Sequence, residues 1–164
     1  MEHNKRKVIN LLNDLIKVNN DRILGYEKAA DAIHDIYEVE IKTLFFKMAE
    51  ESRYYRGKLS EALAQLHGEV LNDTSAAGDI FRVWIGMKAA ITGNNVLSTL
   101  ECCEFGENQA LKAYRHALQP DDIIWPQGLR EILENQYNLL RLSRDKMKRT
   151  REEHASHVMV GVRS

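Results

Sequence analysis

Residues 95–118 read NVLSTLECCEFGENQALKAYRHAL. Leu97, Leu100, Glu104, Glu107, Leu111, Tyr114 and Leu118 recur three or four residues apart, which puts them on one face of a helix. At the α-helical rise such a segment is about 36 Å long. A stripe of this kind faces a core, yet two of its central positions are carboxylates. A buried carboxylate is costly unless it is paired, hydrogen-bonded or bound to a metal.

Stripes of the same period lie on both sides. Downstream, Gln119-Pro120 closes the helix, 121–125 reads as a loop, and Pro126 suits the first turn of the next helix. That helix carries Leu129, Leu133, Gln136, Leu140, Ser143 and Met147. It should end between Arg151 and His154, leaving a single domain over 1–154 and a flexible tail over 155–164. Upstream, a first helix from about Asn4 to Ile33 carries Val8, Leu12, Leu15, Asn19, Tyr26, Ala30 and Ile33. A short link at His34 to Tyr37 follows. A second helix from about Glu38 to Leu66 carries Ile41, Phe45, Met48, Ser52, Tyr55, Leu59, Ala62 and Leu66. It stops at His67-Gly68, where glycine can take the left-handed cap. Between the second and third helices, Asn72-Asp73-Thr74-Ser75 has turn chemistry, and a shorter helix is expected from about Ala76 to Ile91. Trp84 and Trp125 read as packing anchors.

The lengths of the connections set the topology. The first and third links are short, so helices one and two, and three and four, should be antiparallel neighbours. The middle connection is long enough to travel back along the bundle. One long crossover between two helical hairpins is the ferritin-like arrangement of an all-α four-helix bundle.

Composition supports this and narrows the function. The chain has 164 residues, 44% of them hydrophobic and 29% charged, which suits one domain with a sizeable core. Two prolines and nine glycines permit long helices. With 23 basic and 24 acidic residues the net charge is −1, so no nucleic-acid partner and no anionic membrane surface is expected. The basic run from Arg141 to Arg151 suits a helix C-terminus. No apolar run is long enough to span a bilayer, and no signal-peptide core is visible. Cys102 and Cys103 are the only cysteines, and as helix neighbours they point about 100° apart. Two thiols without a disulfide framework fit a reducing cytoplasm. Phosphate-loop, nucleophile-elbow and Cys-x-x-Cys motifs are missing. The pairs Asp31/His34 and His154/His157 have i, i+3 spacing but lie at helix ends, where a solvated face is the simpler reading.

The interruptions of the stripes define a polar layer: Asn19 on helix one, Ser52 and Tyr55 on helix two, Glu104 and Glu107 on helix three, Gln136 on helix four. Glu27 lies one turn beyond Ile23, on the edge marked by Ile9, Ile16 and Ile23. The two carboxylates of helix three could lean to the rim, be held by Tyr26, Tyr55, Arg22 or Arg53, or belong to a metal or small-ligand site.

Four stretches together resemble a bacterial ferritin-like four-helix-bundle family of unknown function, related in fold to rubrerythrin and ferritin. They are Asn19–Ala29 (NNDRILGYEKA), Ala49–Arg53 (AEESR), Trp84–Gly93 (WIGMKAAITG) and Cys103–Tyr114 (CEFGENQALKAY), with Gln136-Tyr137 on helix four. The resemblance covers about residues 8 to 148. It implies the fold. It also implies a comparison with metal-binding relatives, which use a Glu on helices one and three and a Glu-x-x-His on helices two and four. Glu27 and Glu107 resemble the first pair, with Glu104 as a rival. Ser52 and Tyr55 stand where helix two would carry Glu and His, and Leu139 follows Gln136 where helix four would carry the second His. No cofactor and no catalytic residue is therefore expected. The chain reads as a structural or interaction protein, able to form a homo-oligomer. The alternative is an iron or manganese protein with a reduced ligand set: Glu27, Glu104 and Glu107, with Tyr55 and Gln136 as neighbours.

Overall fold

The computed structural model describes residues 1–34, 36–70 and 95–163. Those residues form four long α-helices: α1 (Glu2–Asp31), α2 (Val39–Gln65), α3 (Val96–Leu118) and α4 (Leu129–Arg163). A single 3₁₀ turn, Ile36–Glu38, joins α1 to α2.

Cross-helix hydrogen bonds fix the directions. Arg56 of α2 bonds Asn20, and Ser52 bonds Arg22, so numbers rise on one helix as they fall on the other. The same reversal relates α3 to α4, through Tyr114–Gln136 and Arg144–Asn108. It relates α1 to α3, through Asn19–Tyr114 and Tyr26–Glu107, and α2 to α4, through the Glu51–Ser143 hydrogen bond and the approach of His154 to Glu38, just before α2, at 3.7 Å. Among the described residues α1 packs on α2 and α3, and α4 packs on α3 and α2. Helices α2 and α3 therefore lie on a diagonal and run parallel. A simple hairpin cannot join them, so the long crossover follows from the geometry. The helix expected over Ala76 to Ile91, with Trp84, lies outside the described residues.

Three boundaries differ from the sequence reading. First, α2 ends in a Schellman motif in which His67, not Gly68, takes the left-handed conformation, with φ 56°. The Gly68 amide donates to the Leu63 carbonyl and the His67 amide to the Ala64 carbonyl. Gly68 lies close to the core: a Cβ there would come within 2.5 Å of Leu63 Cδ1 and 3.2 Å of Ile9 Cγ1, so these side chains would have to shift. Second, Pro126 precedes α4 instead of opening it. Gly128 takes φ 79°, which no helical residue can adopt, so the helix starts at Leu129. Third, α4 does not stop between Arg151 and His154 but continues helical to Arg163. No glycine or proline interrupts 129–160, and the first breaker is Gly161.

Two apolar clusters fill the bundle. One gathers Tyr26, Ala30, Phe45, Met48, Leu100 and Cys103. The other gathers Leu12, Leu15, Leu59, Leu63, Leu111 and Leu133. Fully buried polar side chains lie between them.

Candidate functional site

Among the described residues Arg22 is the largest of the fully buried side chains, 1% exposed, and it lies at the centre of the bundle. Helix α1 puts it there because position 22 stands three residues after Asn19 and four before Tyr26, on the inward stripe. Its Nε donates to Glu107 Oε1 at 2.6 Å and its Nη2 to Oε2 at 3.3 Å, a fork of two bonds to one carboxylate. Nη1 donates to the Met48 carbonyl at 3.0 Å and to Ser52 Oγ at 2.8 Å. Nη2 also stands 3.5 Å from Glu51 Oε2. The guanidinium carbon is 5.3 Å from the Tyr26 ring centroid. Burial works against the charge of Arg22. The neighbouring Glu107, chief among the charged groups around it, more than offsets this and leaves the guanidinium harder to deprotonate than usual.

Glu107 is fully buried, and both of its oxygens accept hydrogen bonds. Besides the two bonds from Arg22, its Oε1 accepts from the Tyr26 hydroxyl at 2.6 Å. Burial, then the Glu107 charge, push the Tyr26 phenol well above its ordinary pKa, so it acts as a hydrogen-bond donor. The same causes raise the thiol of buried Cys103, which is thereby held protonated.

One turn away runs a neutral layer. Asn19 Nδ2 donates to the Tyr114 hydroxyl at 2.9 Å and to the Leu15 carbonyl. The Tyr114 hydroxyl donates to Gln136 Oε1 at 2.7 Å, and Gln136 Nε2 donates to the Tyr55 carbonyl at 3.3 Å. All four helices are linked by this chain. Its one loose end is Asn19 Oδ1, buried without a partner.

The residues singled out in the sequence do not converge. Glu107 is central. Glu104 leans to the rim and pairs with Arg151 of α4, because the buried face of α3 passes through Cys103 and Glu107 and leaves position 104 to one side. Glu27 pairs with Arg53 on the outer edge of α1 and α2, where both are more than one-third exposed. Tyr55 and Gln136 belong to the neutral layer, Tyr55 through its backbone carbonyl. Burial and the nearby Glu51 push the Tyr55 phenol up to about 12. Among the described residues no three His, Cys, Asp or Glu side chains gather as a metal cluster. Sequence reasoning weighed Arg22 only as one of several partners for the carboxylates. The signal was the seven-residue gap between Asn19 and Tyr26 in the α1 stripe, whose missing member is position 22.

A family model described as a domain of unknown function, DUF2383, matches residues 7–120. The chain belongs to this family. The DUF2383 match spans α1 to α3 and so includes Arg22, Tyr26, Ser52 and Glu107, but not Gln136 or Ser143 of α4. No curated protein matches the chain. Among solved structures, a Dps1 mutant of Mycobacterium smegmatis matches with a TM-score of 0.72 at 15% identity, covering 92% of this chain and 98% of the other. This DUF2383 member is therefore an all-α, ferritin-like bundle, as its helical stripes and connection lengths imply.

Proposed function

We propose that this DUF2383 protein is a structural or interaction bundle whose centre is organised by the Arg22–Glu107 ion pair where ferritin-like metal proteins would hold two metal ions. The carrying observation is the guanidinium itself, bound through a fork to Glu107 and further held by Ser52 and the Met48 carbonyl. The residues present do not fit a two-metal site. Both Glu107 oxygens already accept hydrogen bonds, and a cation beside them would meet a fixed positive charge. Glu27 and Glu104 are committed to arginines at the rim. The alternative iron or manganese reading would have to displace Arg22.

No nucleic-acid role forms part of this reading. Of the basic run on α4, Arg144 is engaged by Asp145 and Asn108, and Arg151 by Glu104. No described helix is long and apolar enough to cross a membrane.

Elemental analysis tests the proposal on protein grown with added iron and manganese and purified without chelator. Substoichiometric metal, with a melting temperature indifferent to chelator, is the expected result. Two metal ions per chain, lost in Glu107→Ala, would overturn it.

A further inference from the structure

We propose that the buried Arg22–Glu107 pair is a register lock. It selects, among alternative apolar dockings of the α1–α2 hairpin on the α3–α4 hairpin, the single one that the protein adopts. The inference rests on the reading of Arg22 as the resident cation of the bundle centre, and adds what that cation does there.

The buried bonds are distributed unevenly. Among the described residues, helices pack more extensively within each hairpin than between the two. The polar centre does the opposite. Both bonds from Arg22 to Glu107 cross from one hairpin to the other. So do the bonds from Tyr26 to Glu107, from Asn19 to Tyr114, and from Gln136 to the Tyr55 carbonyl. Each side is also anchored at home. The Met48 carbonyl and Ser52 Oγ hold Arg22 to α2, and Gln136 holds Tyr114 to α4. The guanidinium therefore cannot follow Glu107 along the bundle axis without giving up the bonds within its own hairpin.

Apolar contacts between the hairpins do not make the same choice. Leu12 and Leu15 of α1 share one cluster with Leu111 of α3, and Ala30 of α1 shares the other with Leu100 and Cys103. Such side chains recur every three or four residues on both helices, and burial of apolar surface is non-directional. Sliding one hairpin by a helical turn, about 5.4 Å, sets apolar positions against apolar positions again. The same slide parts Arg22 from Glu107 and leaves both charges buried without a partner. That disfavours the slid state about a hundredfold or more. The neutral Asn19–Tyr114 bond acts in the same sense but more weakly. Burial thus drives the docking, and the charged pair decides where it stops, as one buried polar residue sets the register of a coiled coil.

Spin labels on the full chain test this, at Lys28→Cys on α1 and Lys112→Cys on α3. Both positions are exposed. The background is Cys102→Ser, and Cys103 is buried. With the natural centre the label-to-label distance should form one narrow distribution. In Arg22→Met/Glu107→Leu the helical circular dichroism and a cooperative melt should persist, while the distribution splits or broadens by about 5 Å, the rise of one turn. Arg22→Lys, which keeps the charge, should melt earlier than the natural chain yet retain the single distance. Register and stability would then move in opposite directions. One narrow distance in the double variant overturns the proposal. So does a double variant that fails to fold, because the pair would then supply stability and not register, and so does an Arg22→Lys distribution as broad as that of the double variant. None of these readings depends on metal content, so the proposed occupant of the centre stands or falls separately, by elemental analysis.

Discussion

The two polar layers of this bundle sit one helical turn apart at the same depth, yet they are built on opposite terms. The Arg22–Glu107 layer is charged, short-range and nearly saturated. The Asn19–Tyr114–Gln136 layer is neutral and ends in an unpartnered Asn19 oxygen. Deleting one member of a buried ion pair strands a charge, whereas deleting one member of a neutral chain strands only a dipole. The layers should therefore differ sharply in how they tolerate substitution, although both look equally embedded.

The largest effect belongs to the charged layer. Arg22→Met and Glu107→Leu should each cost about 3–5 kcal/mol, because either leaves its partner uncompensated. The double variant should recover most of that loss, since well-packed apolar replacements of a buried pair are often neutral or stabilising. Urea melts of the four proteins measure this. Additive single and double losses would break the comparison at its root.

Asp21 sharpens it from the other side, as a buried carboxylate whose Oδ2 has no hydrogen-bond partner. Burial raises its pKa from 3.8 to about 7, with Lys17 opposing. The folded state thus binds this proton more tightly than the unfolded state. The associated stability is complete below about pH 4 and is lost as pH rises to about 7, by up to about 4 kcal/mol. Asp21→Asn should be more stable than the natural chain at pH 8 and equal to it at pH 4. Denaturant midpoints at the two pH values check this, and a difference independent of pH would refute it.

Tyr114→Phe should cost about 1–3 kcal/mol, for the bonds lost to Asn19 and Gln136. A loss as large as that of Glu107→Leu would erase the distinction between the layers. Glu104→Gln, on the exposed side of the charged layer, should change stability by only about 0–1 kcal/mol. A larger loss in the same melts would move that residue from the rim to the centre.

Much of this was legible in the sequence. The stripes gave four helices because apolar spacing of three and four survives over twenty or more residues, and link lengths then allowed one topology. The site was less legible, for a physical reason. A stripe identifies which residues face inward, but not which inward residue answers another across the bundle. Glu107 was readable as a misplaced charge. Its answer, Arg22, sat in a gap of the α1 stripe and registered as an absence. Whether Glu104 leaned to the rim or faced inward stayed open, because positions 103 and 104 differ by only about 100° of rotation. The end of α4 was placed too early because polar composition is no stop signal where helix formers such as Arg, Glu and Ala continue.

A consequence of the central arginine concerns how the protein comes to be complete. A metal centre must be supplied, loaded and kept in one oxidation state, and it can be emptied or filled with the wrong ion. A guanidinium is synthesised with the chain, arrives already aligned by its helix, and keeps its charge throughout the physiological pH range. On the proposed reading the bundle is thus mature once folded. If the ion pair stands in place of metal, as proposed above, its centre depends on no ion supply.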